Sequence, residues 1–478
     1  MAAAQDPLDQ LRAAVTKMLN DQDQDAPIGS TVFLTIPRDK EADFEKLAKV
    51  LTTATRKLPG CVEFGFHKDI PFQPDPAAAQ QVKHLIYEDW DSVRHFQKQW
   101  DSKHLIDFQK SVLPMLIGAP GLTFHGGFEG PQQTPVLRTG QKHCWDAKGD
   151  PIMPCRGTGQ DGEVRAGVPS PEPRFTPNDD GTVTDNLTGL IWMENANIFG
   201  EVSQPEALQI ASKLSNGNYG LSDGSQAGDW RLPNVNEFQS LLDLDNLSGA
   251  ALPPAHPFMN ATPANYWSSS SVAAAPPLGW YCALAVGPPV FDLKLNSMRM
   301  WPVRGSSLRV AKTGQNACFD PMGTVIPCAG TGQDGELQKG VAWPDPRFTE
   351  NQDGTVTDNL TGLVWLQNAG YFDALSWEDA LKACNSLASP NSGLSGGSKA
   401  GAWRLPNLFE LRSLMDYSEH SPALPAGHPF QNVRNSLYWS STTVASAPNL
   451  ARFVFVGIGP SVWDHKSVQM NVWPVRNK

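Results

Sequence analysis

One stretch of this sequence occurs twice. "DGTVTDNLTGLIW" runs from Asp180 to Trp192, and "DGTVTDNLTGLVW" runs from Asp353 to Trp365, 173 positions later. Shorter repeats keep nearly the same offset. "TGQDGE" stands at 158–163 and 331–336, "RFT" at 174–176 and 347–349, and "WRLPN" at 230–234 and 403–407. "HPF" recurs at 256–258 and 428–430, "YWSS" at 266–269 and 438–441, and "WPVR" at 301–304 and 473–476. A period this long marks a duplicated domain rather than a short-repeat solenoid, with units at 137–305 and 310–478. Residues 1–130 have no counterpart. A linker at 131–136 ends the Gly-, Gln- and Pro-rich stretch "GGFEGPQQTP". Three domains also suit a chain of 478 residues at about 150 residues per domain.

Composition narrows the class. Hydrophobic residues at 40% and charged residues at 18% suit packed domains, and 41 glycines with 40 prolines suit short strands joined by shaped turns. A net charge of −11, with no Lys/Arg run, argues against nucleic acid as a partner. No stretch reaches the ~20 apolar residues of a membrane span. The opening "MAAAQDPLDQLRAAVTKMLN" does not read as a signal peptide, so the expected compartment is cytoplasmic. The cysteines favour the exported alternative. Cys144 and Cys155, like Cys318 and Cys328, flank a turn that brings each pair within disulfide reach, the other reading being reduced thiols in a small core.

The repeated stretch has two readings. Asp180, Asp185, Asp353 and Asp358 offer oxygen ligands to calcium, but too few for the ~six to eight that the ion takes. The favoured reading is a hairpin scaffold, in which Val183, Leu190 and Trp192 face the core and "DNLTG" turns the chain, and no metal is expected. Asn186-Leu187-Thr188 matches a glycosylation acceptor and is better explained as that turn. In "WRLPNVNEFQSLLD", Asn234 and Glu237 form a capping box ahead of the apolar face Phe238, Leu241 and Leu242, and Asn407 with Glu410 repeats it. Arg231 and Arg404 then read as buried structural donors. His256 and His428, each before Pro-Phe, read as loop residues.

In residues 1–130, "STVFLTIP", "VEFGFHKD" and "VKHLIYEDW" read as strands, and two amphipathic helical segments lie between and after them, giving an α+β domain. Asp91 or Ser92 is placed to cap the helix after Trp90. "LPGCVEFGFHKD", "YEDWDSVRHFQKQWDSKHLIDF" and "LPML" resemble the antibiotic biosynthesis monooxygenase family. The resemblance implies a ferredoxin-like α+β fold of the dimeric barrel type and homodimers paired through their sheets. It also implies oxidation of quinols or polyketide-like aromatics by molecular oxygen without a cofactor. By the same resemblance Trp90 lines the cavity and His104 binds or deprotonates substrate. Trp100 stands where a haem-binding relative would place its ligand, which argues against haem.

The duplicated unit, through "RFTPNDDGTVTDNLTGLIW", "GDWRLPNVNEFQSLL", "YWSSS" and "WPVRG", resembles the Lcl C-terminal domain family. The resemblance implies tandem C-type lectin-like domains akin to formylglycine-generating enzymes. Cys282 stands alone and faces Val454 in the second copy, so copper chemistry of that kind is not expected. Gln73-Pro74-Asp75, a sugar-lectin triplet, falls outside the duplicated units.

The copies differ most between their "YW" and "WPVR" motifs. The hairpin matches at 10 of 11 positions, whereas residues 268–300 and 440–472 match at 13 of 33. In lectin-like folds this segment forms the exposed ligand face. Trp280, Tyr281 and Arg299 in copy one answer to Arg452, Phe453 and Asn471 in copy two, and Trp463 joins the second set. The expectation is two binding faces of different preference, for a small molecule, glycan or protein. The alternatives are a cofactor-free monooxygenase in residues 1–130 with the repeats as targeting modules, and a structural assembly protein.

Overall fold

Alternation in "IGSTVFLTIP" places Ile28, Ser30, Leu34 and Ile36 on one face of an extended segment, and all four are buried. This is β1 (Ile28–Pro37), the start of the first of two compact units, 1–130 and 131–478. The computed structural model describes residues 28–58, 61–68, 81–90, 93–117, 121–126, 134–246, 249–287 and 289–478, with 12, 15–17 and 19 ahead of them. Asp91, Ser92 and the triplet 73–75 lie outside the described residues.

After β1 come α1 (Glu41–Thr55), β2 (Cys61–Lys68), β3 (Gln81–Trp90), α2 (Val93–Trp100), α3 (Lys103–Val112) and β4 (Gly121–Gly126). The antiparallel strands order as β2-β3-β1-β4, a ferredoxin-like α+β sheet. Phe44, Ala48 and Leu51 of α1 and Leu105, Phe108 and Val112 of α3 close the core against the sheet. No helix among the described residues is long and apolar enough to cross a membrane.

The second unit holds both copies. In the first, β5 (Phe175–Pro177), β6 (Thr182–Asp185) and β7 (Ile191–Met193) join the short strands Val303–Arg304 and Trp230–Arg231 in one sheet. Its two longer helices are α4 (Gln204–Lys213) and α5 (Val235–Ser240). A second sheet contains β8 (Asn265–Ser271), β9 (Leu278–Ala283) and β10 (Pro289–Leu293). The second copy repeats this as β11 (Phe348–Glu350), β12 (Thr355–Asp358), β13 (Val364–Leu366), α6 (Trp377–Ser386), α7 (Leu408–Ser413), β14 (Leu437–Thr443), β15 (Leu450–Phe455) and β16 (Ser461–His465). Trp192 and Trp301 meet edge to face at 5.5 Å in one core, and Trp365 and Trp473 meet at 5.6 Å in the other.

Each copy begins with an arm, 137–168 or 310–341, that lies across the other copy. Gln141 of the first arm pairs both ways with the backbone of Thr443, donating at 2.8 Å and accepting at 2.9 Å. Gln315 of the second arm pairs the same way with Ser271. Asp161 accepts from Thr442 at 2.7 Å, and Asp334 accepts from Ser270 at 2.5 Å. The buried Lys466 donates to the carbonyls of Trp145 and Asp146, and Lys294 reaches that of Phe319. Both arms also rest on their own copy, through Thr139 O to Leu244 N and Thr313 O to Tyr417 N. The contacts are reciprocal, so the two copies relate by a local twofold and form one compact unit.

"TGQDGE" recurs because it builds the arm. The Gln160 amide pairs with both backbone groups of Trp145, and Glu163 accepts from Gly157 N, Gly159 N and Thr158 Oγ1. A Cβ on Gly162 would meet His143 O at 2.1 Å, so only glycine fits there. Cys144–Cys155 and Cys318–Cys328 are disulfides, with Cα atoms 5.5 Å and 5.2 Å apart.

Candidate functional site

In the first unit Trp90 ends β3 inside the core, edge to face with Phe96. Its Nε1 donates to Glu88 Oε2 at 3.1 Å, and Glu88 Oε1 accepts from Ser30 Oγ at 2.8 Å. Trp100 stacks on Phe96 and meets the Arg12 guanidinium. His104 is half-buried in the first turn of α3, 3.4 Å from Ser102 Oγ, and burial holds its pKa below the usual imidazole value. The inward-facing Glu88, Ser30 and His84 were not singled out in the sequence. The period-2 pattern that buries Val82 and Ile86 buries His84 and Glu88 as well, and this was the signal available.

In the hairpins an arginine stands opposite each inner carboxylate. Asp185 receives Arg174 through Nε at 2.7 Å and Nη2 at 2.9 Å, and also Thr188 Oγ1 and Leu187 N. Asp358 receives Arg347, Thr361 and Leu360 in the same way. Asp180 and Asp353 each accept from the backbone and hydroxyl two residues on, at Thr182 and Thr355. Among the described residues no three His, Cys, Asp or Glu side chains gather as a metal site needs. Asn186 donates to Pro173 O and Thr176 Oγ1, fixing the turn. The capping boxes are present at Asn234–Glu237 and Asn407–Glu410. Arg231 and Arg404 are forked onto those same glutamates at 2.5–2.6 Å. His256 and His428 are half-buried beside Phe258 and Phe430, and burial lowers the pKa of both.

Of the residues expected to form two exposed ligand faces, Trp280, Arg452 and Phe453 are instead buried, the first two against the other copy. Trp280 is 1% exposed, edge to face with Phe291 and with Tyr417 of the second copy. Arg452 is 3% exposed and donates through Nη2 to Val286 O of the first copy at 2.6 Å. Phe453 is buried against Trp439. Tyr281 meets Trp267, Arg299 bonds Thr262, and Trp463 pairs beside Arg452; these three are half-buried. The exposed-face expectation is therefore corrected for Trp280, Arg452 and Phe453. Trp280 and Arg452 occupy matching positions but meet different neighbours, since Tyr417 answers to Leu244.

A cleft of about 70 Å³ opens on the local twofold. Its walls are α5, through Asn236, Gln239 and Ser240, and α7, through the matching Phe409, Arg412 and Ser413. The segments leading into both arms close it, from Thr134 to Leu137 and from Arg309 to Lys312. Three polar atoms on these walls are shielded from solvent and have no protein partner: Thr134 Oγ1, Gln239 Oε1 and Arg412 Nε. Asn236 is held in place by Ala311 O at 3.1 Å, and Trp343 by Lys312 O at 3.0 Å. None of these residues was singled out in the sequence. The available signal was the divergence of the two helices, VNEFQS against LFELRS, which keep only the Glu of the capping box and the final Ser in common.

Comparison with known proteins places both copies. Residues 181–304 and 354–476 match the Lcl C-terminal domain family. No curated protein matches the chain. Solved structures similar to part of the chain include putative antibiotic biosynthesis monooxygenases from three bacteria. The one from Nitrosomonas europaea is 14% identical, over 23% of this chain and 96% of that one, with a TM-score of 0.19. The one from Caulobacter crescentus CB15 is 18% identical, over 24% and 99%, with a TM-score of 0.20. The one from Deinococcus radiodurans is 17% identical, over 22% and 94%, with a TM-score of 0.19. The two matched segments together span more than half of the sequence, and the chain belongs to the Lcl C-terminal domain family.

Proposed function

We propose that residues 134–478 act as one recognition module, with a small ligand held in the cleft on the local twofold. One shared site replaces the two separate faces expected from the sequence. The observation that carries this reading is the cleft itself, whose lining residues include Thr134, Gln239 and Arg412, each with a buried polar atom that has no protein partner. Buried polar atoms ordinarily have partners, and three without one among the residues around a single cleft support a site for a group from outside the chain. The test is a library of neutral, cationic and anionic small molecules screened by ligand-observed NMR against the full chain and against Gln239→Trp, whose indole fills the cleft. Hits lost in the variant support the reading. An absence of hits, or hits indifferent to the variant, overturns it.

The first unit adds valency in this reading. Its helices α1 and α3 close the core on one side of the four-stranded sheet, which supports pairing of two chains through the sheet. Sedimentation at twice the mass of one chain is the expected result. A monomer at micromolar concentration refutes the pairing.

A further inference from the structure

The charge on the cleft walls is one-sided. Arg309, Lys312 and Arg412 line it, and no aspartate or glutamate does, in a chain whose net charge is −11. Among the described residues none of these three cations has a carboxylate partner. The carboxylates of the flanking helices are already held, Glu237 by Arg231 and Glu410 by Arg404. Asp416, just past α7, accepts from Ser418.

Arg412 is the most enclosed of the three, at 2% exposure. Its Nη1 donates to Gly459 O and Ser461 Oγ, its Nη2 to the Tyr417 hydroxyl, and its Nε to nothing. Neutral acceptors offset only part of the desolvation of a buried guanidinium, and a negative charge within reach is what such a group lacks. Trp343, Phe409 and Met415 give the same cleft an apolar wall. A cavity of about 70 Å³ holds roughly five water molecules, which fits a small molecule rather than a polymer segment.

Resting on the cleft reading above, we propose that the ligand is a small organic carboxylate with a flat apolar body. Its carboxylate lies among Arg309, Lys312 and Arg412, and its body lies against Trp343 and Phe409. Recognition by charge-assisted hydrogen bonds at one end and ring packing at the other is the ordinary composition of a small-molecule site.

The test uses the full-length chain with two isosteric probes, benzoate and neutral benzamide, followed by ligand-observed NMR. Benzoate is expected to bind at least about tenfold more tightly than benzamide. Lys312→Met and Arg309→Met keep most of each stem while removing its charge. Each should weaken benzoate about fivefold and weaken benzamide by less, so that the preference for benzoate falls. Equal affinity for the two probes, both lost in Gln239→Trp, overturns the carboxylate assignment and leaves the cleft reading standing. Benzoate binding that survives Gln239→Trp overturns both. Failure of benzoate to bind at millimolar concentration overturns the carboxylate assignment, while the wider library then decides the cleft.

Discussion

Asp185 shows why the hairpin repeats almost without change. Its two oxygens accept from the Arg174 fork, the Thr188 hydroxyl and Leu187 N, so replacing any partner leaves a buried polar atom unsatisfied. Asp358 carries the same load in the second copy. An arginine thus already holds the position that the calcium reading assigned to an ion. Asp185→Ala should lower stability by about 3–5 kcal/mol, because Arg174 stays behind as a nearly buried unpaired charge. The measure is the urea midpoint of the tandem unit. Calcium and chelator should leave the wild-type midpoint in place, and a rise with calcium would return the hairpin to the metal reading.

At the scale of the element, the crossed arms carry a pH dependence. Asp161 and Asp334 are fully enclosed where each arm meets the other copy, and burial raises both pKa values from 3.8 to about 6. The hydroxyls of Thr139 and Thr442 oppose the shift at Asp161, and Glu410 and Arg404 act on it with opposite signs. A raised carboxyl pKa means that the folded state favours the neutral acid. The stability it contributes is complete below about pH 4, and is lost as pH rises to 6, by on the order of 3 kcal/mol per site. Asp161→Asn keeps an oxygen acceptor and removes the titration. The variant should therefore lose part of the wild type's stability difference between pH 4 and pH 7, read from urea midpoints at the two values. An unchanged difference would show that Asp161 is not enclosed as described.

The arms also mark how far the sequence could be read. The duplication, the capping boxes and the forks of the buried Arg231 and the half-buried Arg404 follow from local spacing, because each is satisfied within a few residues of itself or by a neighbouring strand. Which copy an arm packs on leaves no such trace. Gln141 is one polar residue in a loop, and its partner Thr443 lies 302 positions away. Trp280 in β9 alternates just as it would on an open ligand face, so the sequence reading exposed it. The cleft is harder still, since its polar groups are defined by partners they lack.

At the scale of the whole molecule, the two copies form one compact unit rather than two modules on a string. The interface joins the two arms to the segments in which the copies differ most. Those differences serve a twofold whose halves are not identical: Trp280 on one side needs the Tyr417 ring, and Arg452 on the other needs the Val286 carbonyl. A contact that one copy makes with the other should therefore stabilise both. Trp280→Ala removes a fully buried indole, which destabilises by about 3–5 kcal/mol through lost contact and the cavity left behind. Hydrogen exchange followed by mass spectrometry reads where that loss appears. Peptides from 137–305 and from 310–478 should lose protection together and by similar amounts, since unfolding either copy strips the other of its arm. The ferredoxin-like unit has its own core and should keep its protection. Loss confined to 137–305 would mean that the copies open independently, and a ligand site shared between them would then lack the rigid walls it requires.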